Sequence, residues 1–213
     1  MKVAIIGASG FVGASVLTEA LNRGHQVTAI VRNPEKITVQ NDNLAVTGAD
    51  IFETEKLAAI LAGNDVVISS YNPGWGNPEI YDDFIKGSTS IQEATKAAGV
   101  KRLIVIGGAG SLYIDGNQLV DSPQFPAEWK AGATAARDFL TELRKEEELD
   151  WTFLSPAINL HPGERTGKFR LGTESPVFNE HGKNDISVAD LAVALLDEVE
   201  NKQFVKQRFT LGY

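Results

Sequence analysis

At 213 residues, with 43% hydrophobic and 23% charged side chains, the chain has the size and balance of one globular domain able to bury a core without staples. A net charge of −8 with no Lys/Arg cluster excludes a nucleic-acid partner, because a phosphate-backbone binder needs a basic face. The absence of Cys removes disulfides, thiol nucleophiles and thiolate metal sites together, and no stretch approaches the roughly 20 apolar residues of a membrane helix.

Met1 leads straight into a strand-like run, so no signal peptide, no membrane contact and a cytoplasmic location are expected. Residues 2–7 read as a buried strand. From 11 to 23, Val12, Val16, Leu17, Ala20 and Leu21 recur at helical spacing, and Gly24 closes that helix. Strands follow at 25–32 and 43–50, a helix at 56–63 and a fourth strand at 65–71. A long helix spans 79–99, a fifth strand 101–108, a helix 127–149 and a sixth strand 151–157. Residues 186–200 are helical, with Ser187 as N-cap and Asp190 in the first turn. Residues 207–211 suggest a last strand.

Strands that are apolar on both faces and alternate with helices require a parallel sheet covered on both sides. The expected fold class is α/β, a doubly wound parallel sheet with helices on both faces. One domain spans 1–213, and residues from about 158 on form a small substrate-side lobe.

The stretch GASGFVG, Gly7 to Gly13, lies between the first strand and the first helix. A helix N-terminus directs unpaired N–H groups at the crevice above the sheet, where they suit a pyrophosphate. Gly7 permits the tight turn, Gly10 lets the pyrophosphate approach, and Gly13 lets the helix pack on the strand. Ser9, Phe11 and Val12 complete that loop. The second strand ends in Arg32 where an NAD site usually carries Asp or Glu, so the weight falls on a 2′-phosphate and NADP, with NADPH preferred over NADH. Asp50, at the end of the third strand, either contacts the adenine or forms a capping box with Glu53.

Four tyrosines are present, at 71, 81, 113 and 213, and none has Lys four residues on. The Tyr–Lys pair of alcohol–ketone chemistry is therefore missing. A hydride acceptor with an extended π system needs a flat slot more than a strong acid. Loops after the strand ends supply candidates for the cofactor and the slot. Ser70, Tyr71 and Trp75 follow the fourth strand. Gly108, Ser111 and Tyr113 follow the fifth, and residues 112–126 form a longer loop, a candidate lid. Ser155, Pro156 and Ala157 end the sixth strand on the nicotinamide side, with His161 at the cleft rim. Trp75, Tyr113 and His161 are the slot candidates, and Ser111 and Tyr113 the candidate catalytic groups. His25 and His181 read as surface residues, and Lys145 to Glu148 as a solvated helix end. No cluster has metal-ligand spacing.

The opening KVAIIGASGFVGASVLTEALNRGHQVTAIVRNPEKI, with TGAD, IGGAGSL, SPA and ISVADLA further on, resembles atypical short-chain dehydrogenases of the NmrA-like and NAD(P)H–flavin reductase group, which includes biliverdin reductase B. The resemblance runs the length of the chain and implies a single-domain Rossmann-type fold, a reduced nicotinamide cofactor and a flavin or similar acceptor. It puts Gly7, Gly10 and Gly13 on the pyrophosphate and Arg32 on the 2′-phosphate. It also implies a serine near the nicotinamide around 109–111, where only Ser111 carries a hydroxyl. The resulting expectation is an NADPH-dependent reductase of free flavin (FMN or riboflavin) or a quinone-like acceptor. Its partner is a small molecule, and its state a monomer or small homo-oligomer. The alternatives are a non-catalytic NADP-sensing regulator and a sugar-nucleotide epimerase or dehydratase.

Overall fold

Val3 and Ile5 of the first strand point to one face of a central sheet and Ala4 and Ile6 to the other, and all four are fully buried. A strand with no solvent face must lie inside a sheet that is covered twice. The computed structural model, which describes residues 1–213, shows that arrangement. In chain order the elements are β1 (Lys2–Ile6), α1 (Phe11–Asn22), β2 (Gln26–Val31), β3 (Leu44–Gly48), α2 (Thr54–Leu61), β4 (Val66–Ser69), α3 (Ile80–Ala97) and β5 (Arg102–Ile106). They continue with β6 (Tyr113–Ile114), β7 (Asn117–Gln118), α4 (Ala127–Leu143), β8 (Asp150–Ser155), β9 (Asn159–His161), β10 (Arg170–Gly172), β11 (Asp185–Ser187), α5 (Val188–Asn201) and β12 (Gln207–Gly212).

The main sheet runs β3-β2-β1-β4-β5-β8-β12-β10, all parallel except β10, which is antiparallel to β12. The order reverses between β1 and β4, the switch point where doubly wound sheets open a crevice above their carboxyl ends. Helices α1 and α5 cover one face and α2, α3 and α4 the other, each over its own apolar cluster. No helix is long and apolar enough to cross a membrane.

Several expectations need correction. Residues from 158 on are not a lobe apart from the sheet: Ile158 and Leu160 line the cleft, but β12 is built into the main sheet beside β8, and α5 packs on α1 beneath it. Ile186, Leu191, Leu195 and Leu196, all fully buried, give that segment its place in the core. The 127–149 helix stops at Leu143. Glu146, far from being solvated, accepts from the N–H groups of Glu148 and Leu149 and from Gln92 Nε2 at 2.7 Å, which turns the chain into β8. His25 is buried rather than exposed, because its Nε2 lies 2.8 Å from Glu200 Oε1 and its Nδ1 3.3 Å from the Met1 amino group. Residues 112–126 fold as the β6–β7 hairpin and a following helical turn anchored by the buried Leu112 and Val120, not as a free lid.

The last helix begins as its sequence requires. Ser187 Oγ accepts from the Asp190 N–H at 3.0 Å, and the Asp190 carboxylate takes the Thr166 and Gly167 N–H groups and the Tyr213 hydroxyl. Burial alone would raise the Asp190 pKa, but these donors outweigh it and the carboxyl lies below its ordinary value. The sign follows from linkage. A carboxyl with a depressed folded pKa adds stability above its unfolded value, and that stability is lost as pH falls through the folded one. Tyr213→Phe removes one donor. Its stability deficit against wild type is expected at neutral pH and to shrink on acidification below the ordinary carboxylate range, read by urea unfolding; a pH-independent deficit would remove Asp190 from the account.

Candidate functional site

The turn from β1 into α1 is held by backbone alone. Gly7 N–H donates to Ile30 O at 2.9 Å, Gly10 N–H to Gly7 O at 3.0 Å, and Ala14 N–H to Gly10 O at 2.8 Å. Gly7 sits at φ +80°, and a Cβ there would lie 2.5 Å from Ser70 O. A Cβ on Gly13 would lie 2.1 Å from Gly7 O, so the helix presses directly on the turn. Gly10 differs: its Cβ would meet only Gly7 O at 3.4 Å, on a side otherwise open. Gly10 is the N-cap, no side chain caps the helix, and the first turn carries no acid. The N–H groups of Phe11 and Val12 are left without protein acceptors beside that opening.

The loops at the carboxyl ends of β1, β2, β3, β4, β5 and β8 enclose one continuous cleft of about 1340 Å³. A single small-ligand pocket typically measures about 300–1,000 Å³, so this cleft has room for a dinucleotide and a second ring system. Gly7, Ser9, Gly10, Phe11 and Val12 line its centre. Arg32, Asn33 and Lys36 line it beyond β2. Arg32 and Lys36 are exposed, and neither has a carboxylate within salt-bridge distance. Asp50 also lines this end, but its Oδ1 accepts from the Phe52 N–H at 3.0 Å, a local turn rather than a capping box on Glu53.

Ser70, Tyr71, Trp75, Gly108, Pro156 and Ala157 line the half over β4, β5 and β8. The Tyr71 hydroxyl donates to Asp83 O at 3.0 Å, and its ring stacks on Phe84. Burial, reinforced by the nearby Asp83 carboxylate, pushes the Tyr71 pKa up to about 12. It therefore stays a phenol whose proton is already committed. Trp75 is 56% exposed and leans on α4 at Gly132, where a Cβ would lie 2.8 Å from its Cζ3. Trp129, 50% exposed on the first turn of α4, lines the same half, as do Phe125 and Gln124. Sequence reading missed Trp129, although it continues the buried stripe Gly132, Ala133, Ala136 and Leu140 of its own helix at spacings of three and four.

Other expected residues are not brought to the cleft. Ser111 is buried with its Oγ accepting from Arg208 Nη1 at 2.9 Å, because the helical turn at 109–111 directs it inward and leaves Ala109 and Gly110 on the lining. Arg208 also pairs with Glu174, and the Tyr113 ring lies 5.9 Å from its guanidinium, away from the cleft. Ser155 is fully buried at the end of β8 without a hydrogen-bond partner for Oγ. His161 Nδ1 is 2.8 Å from Pro162 O, and its ring is not part of the lining. Gly13 acts through the turn rather than on the cleft surface. No group of His, Asp and Glu could hold a metal ion.

These placements predict that Ser111→Ala leaves nucleotide affinity and turnover intact while lowering stability by about 1–3 kcal/mol, since Arg208 loses a buried partner. Urea unfolding beside steady-state rates checks this. A fall in kcat with an unchanged unfolding midpoint would return Ser111 to the chemistry.

The cleft fits a nicotinamide dinucleotide on its own geometry. An acid-free helix N-terminus with unpaired N–H groups stands beside an open Gly10, and two unpaired cations stand beyond β2. Comparison with known proteins agrees. A model for NAD(P)H-binding proteins matches residues 7–202. The uncharacterized Bacillus subtilis (strain 168) protein YwnB is 38% identical over 99% of this chain and 98% of its own. A candidate epimerase from Bacteroides thetaiotaomicron superposes with a TM-score of 0.94 at 45% identity, over 100% of this chain and 96% of that one. A candidate NADH–flavin reductase from Streptococcus pneumoniae TIGR4 does so with a TM-score of 0.85 at 38% identity, over 100% and 99%.

Proposed function

Because the chain belongs to the NAD(P)H-binding family, we propose that it is an NADPH-dependent oxidoreductase that reduces a flavin or a quinone-like acceptor. The observation that supports this reading is one cleft that joins the acid-free N-terminus of α1 to a half lined by Trp75 and Trp129, where the titratable side chains are Tyr71 and Asp83 and no Tyr–Lys pair is present. When bound, the cofactor supplies a hydride; the overall balance is one hydride from NADPH and one proton from water, giving NADP⁺ and the dihydro acceptor.

The chain's own residues do the rest. The N–H groups at the start of α1 hold the pyrophosphate, with Gly10 leaving it room. Arg32 and Lys36 neutralise the 2′-phosphate, the guanidinium by its planar fork and the ammonium as a point charge. Pro156 and Ala157 border the nicotinamide end, and Trp75 and Trp129 present flat faces to the acceptor. The titratable side chains lining this half are Tyr71, whose proton is committed to Asp83 O, and Asp83, whose Oδ2 accepts from Asn77 Nδ2 at 2.8 Å. Neither replaces a Tyr–Lys acid. An acceptor that delocalises the incoming charge over its rings needs none, and catalysis rests on positioning.

NADPH oxidation in the presence of riboflavin, FMN or menadione, beside the same assay with NADH, tests the reading. Flavin- or quinone-dependent turnover faster with NADPH is the expected result. NADPH binding with no turnover of any acceptor would replace it with a nucleotide-sensing role. Gly132→Ala gives a sharper check of the slot. The new methyl would occupy the place of Trp75 and of Ile80 Cδ1, also 2.8 Å away, so the indole must shift. The acceptor KM is expected to rise by about three- to tenfold with NADPH affinity unchanged. An unchanged acceptor KM would remove Trp75 from the slot.

A further inference from the structure

The charges around the cleft are divided unequally. Four charged residues line it: Arg32, Lys36, Asp50 and Asp83. Both cations lie beyond β2, at the adenosine end. The half over β4, β5 and β8, where Trp75 and Trp129 stand, contains no cation, and its one formal charge is the Asp83 carboxylate.

The helices repeat this division. Helix α1 is alone among the five in having no acid in its first turn. The two helices that begin at the slot are already neutralised: α3 carries Asp82 and Asp83 in its first turn, and α4 carries Glu128. Their positive ends are therefore not free for a second anion. Asp121, in the turn after β7, is neutralised by Arg137 at 2.9 Å and does not line the cleft. Within the lining, an anionic group entering here would meet the Asp83 carboxylate and no cation, in a chain of net charge −8; Lys130 beside Trp129 and Lys86 over Phe52 lie outside the lining.

We propose that the slot between Trp75 and Trp129 selects an uncharged planar ring, a dephosphorylated flavin or a simple quinone, and discriminates against phosphorylated or carboxylated acceptors. This rests on the reductase reading of the cleft, and it narrows the acceptor from any flavin to a neutral one. The aromatic faces supply stacking to every flavin alike. The electrostatics of the lining supply the discrimination, since riboflavin and FMN share one ring system and differ by a phosphate.

Binding tests this separately from turnover. The wild-type chain saturated with NADP⁺ is titrated with riboflavin, FMN and menadione at low ionic strength, following the quenching of tryptophan fluorescence. Riboflavin is expected to bind at least about tenfold more tightly than FMN, a gap that narrows as added salt screens the charges. Gln124→Lys, which places a cation in the lining, is expected to narrow the riboflavin-to-FMN ratio at fixed salt. Equal affinities, a preference for FMN, a gap insensitive to salt, or failure of both riboflavin and menadione to quench would each overturn the proposal. Salt-sensitive preference for riboflavin without NADPH oxidation would leave it standing and reject the reductase reading instead.

Discussion

Gly10→Val is expected to abolish NADPH binding in a protein that stays folded. The backbone at Gly10, φ −77° and ψ 171°, is one that valine adopts, and the nearest atom to its Cβ is Gly7 O at 3.4 Å. The fold therefore loses only the preference of an N-cap for glycine over a β-branched residue, about 1 kcal/mol. For a chain of this size that is a fall in Tm of about 2–4 °C. The ligand side fares differently. In the proposed binding mode the two methyls would stand between the pyrophosphate and the Phe11 and Val12 N–H groups that have no protein acceptor. Calorimetry with NADPH should show no heat of binding, an affinity loss of about a thousandfold or more. Gly13→Ala is the contrasting case. Its methyl would lie 2.1 Å from a backbone oxygen that cannot move without opening the turn, so fold and binding should fail together. A Gly10→Val protein that still binds NADPH would mean that the turn does not hold the pyrophosphate.

Arg32→Glu is expected to invert the cofactor preference. Arg32 has no carboxylate partner to lose, so the substitution leaves stability nearly untouched. It replaces a planar two-pronged donor with a group of the same sign as the 2′-phosphate. The kcat/KM for NADPH should fall by about a hundredfold or more, while that for NADH changes by less than about threefold, since the introduced carboxylate can accept from the ribose 2′-OH. Equal losses for both cofactors would remove Arg32 from the phosphate. Lys36 shares the same end of the cleft, and Arg32→Glu with Lys36→Ala should weaken NADPH beyond the single change.

That the Gly7–Gly13 turn and Arg32 meet at one end of a cleft was legible because the signals are local. The apolar run, the three glycines and the helical stripe lie within 20 residues, and Arg32 ends the adjoining strand. The cap on α5 was legible for the same reason, with Ser187 and Asp190 three apart. What escaped depends on partners distant in sequence. Ser111 has the sequence signature of a cleft hydroxyl, but Arg208, which takes it inward, lies 97 residues on. His25 read as a surface residue because Glu200, which buries it, lies on a helix 175 positions away. The short strands β9, β10 and β11 have too few residues to show a period, and their pairing is set by neighbours far along the chain. Trp129 was within reach. The stripe of α4 runs straight back to it, at the turn where that helix leaves the core for the cleft mouth.

The position of β12 has a consequence for how the protein is made. Residues 207–212 lie between β8 and β10, although they are translated after both. While the ribosome is still adding them, β8 presents a bare edge of unpaired N–H and C=O groups, and β10 has no partner at all. The Arg102–Glu198 pair, which joins β5 to α5 and is sealed by the turn at Gln203 and Phe204, must likewise wait for late residues. Until β12 emerges the β8 edge stays an open template for strand addition, and α1 also lacks α5, the helix that packs on it.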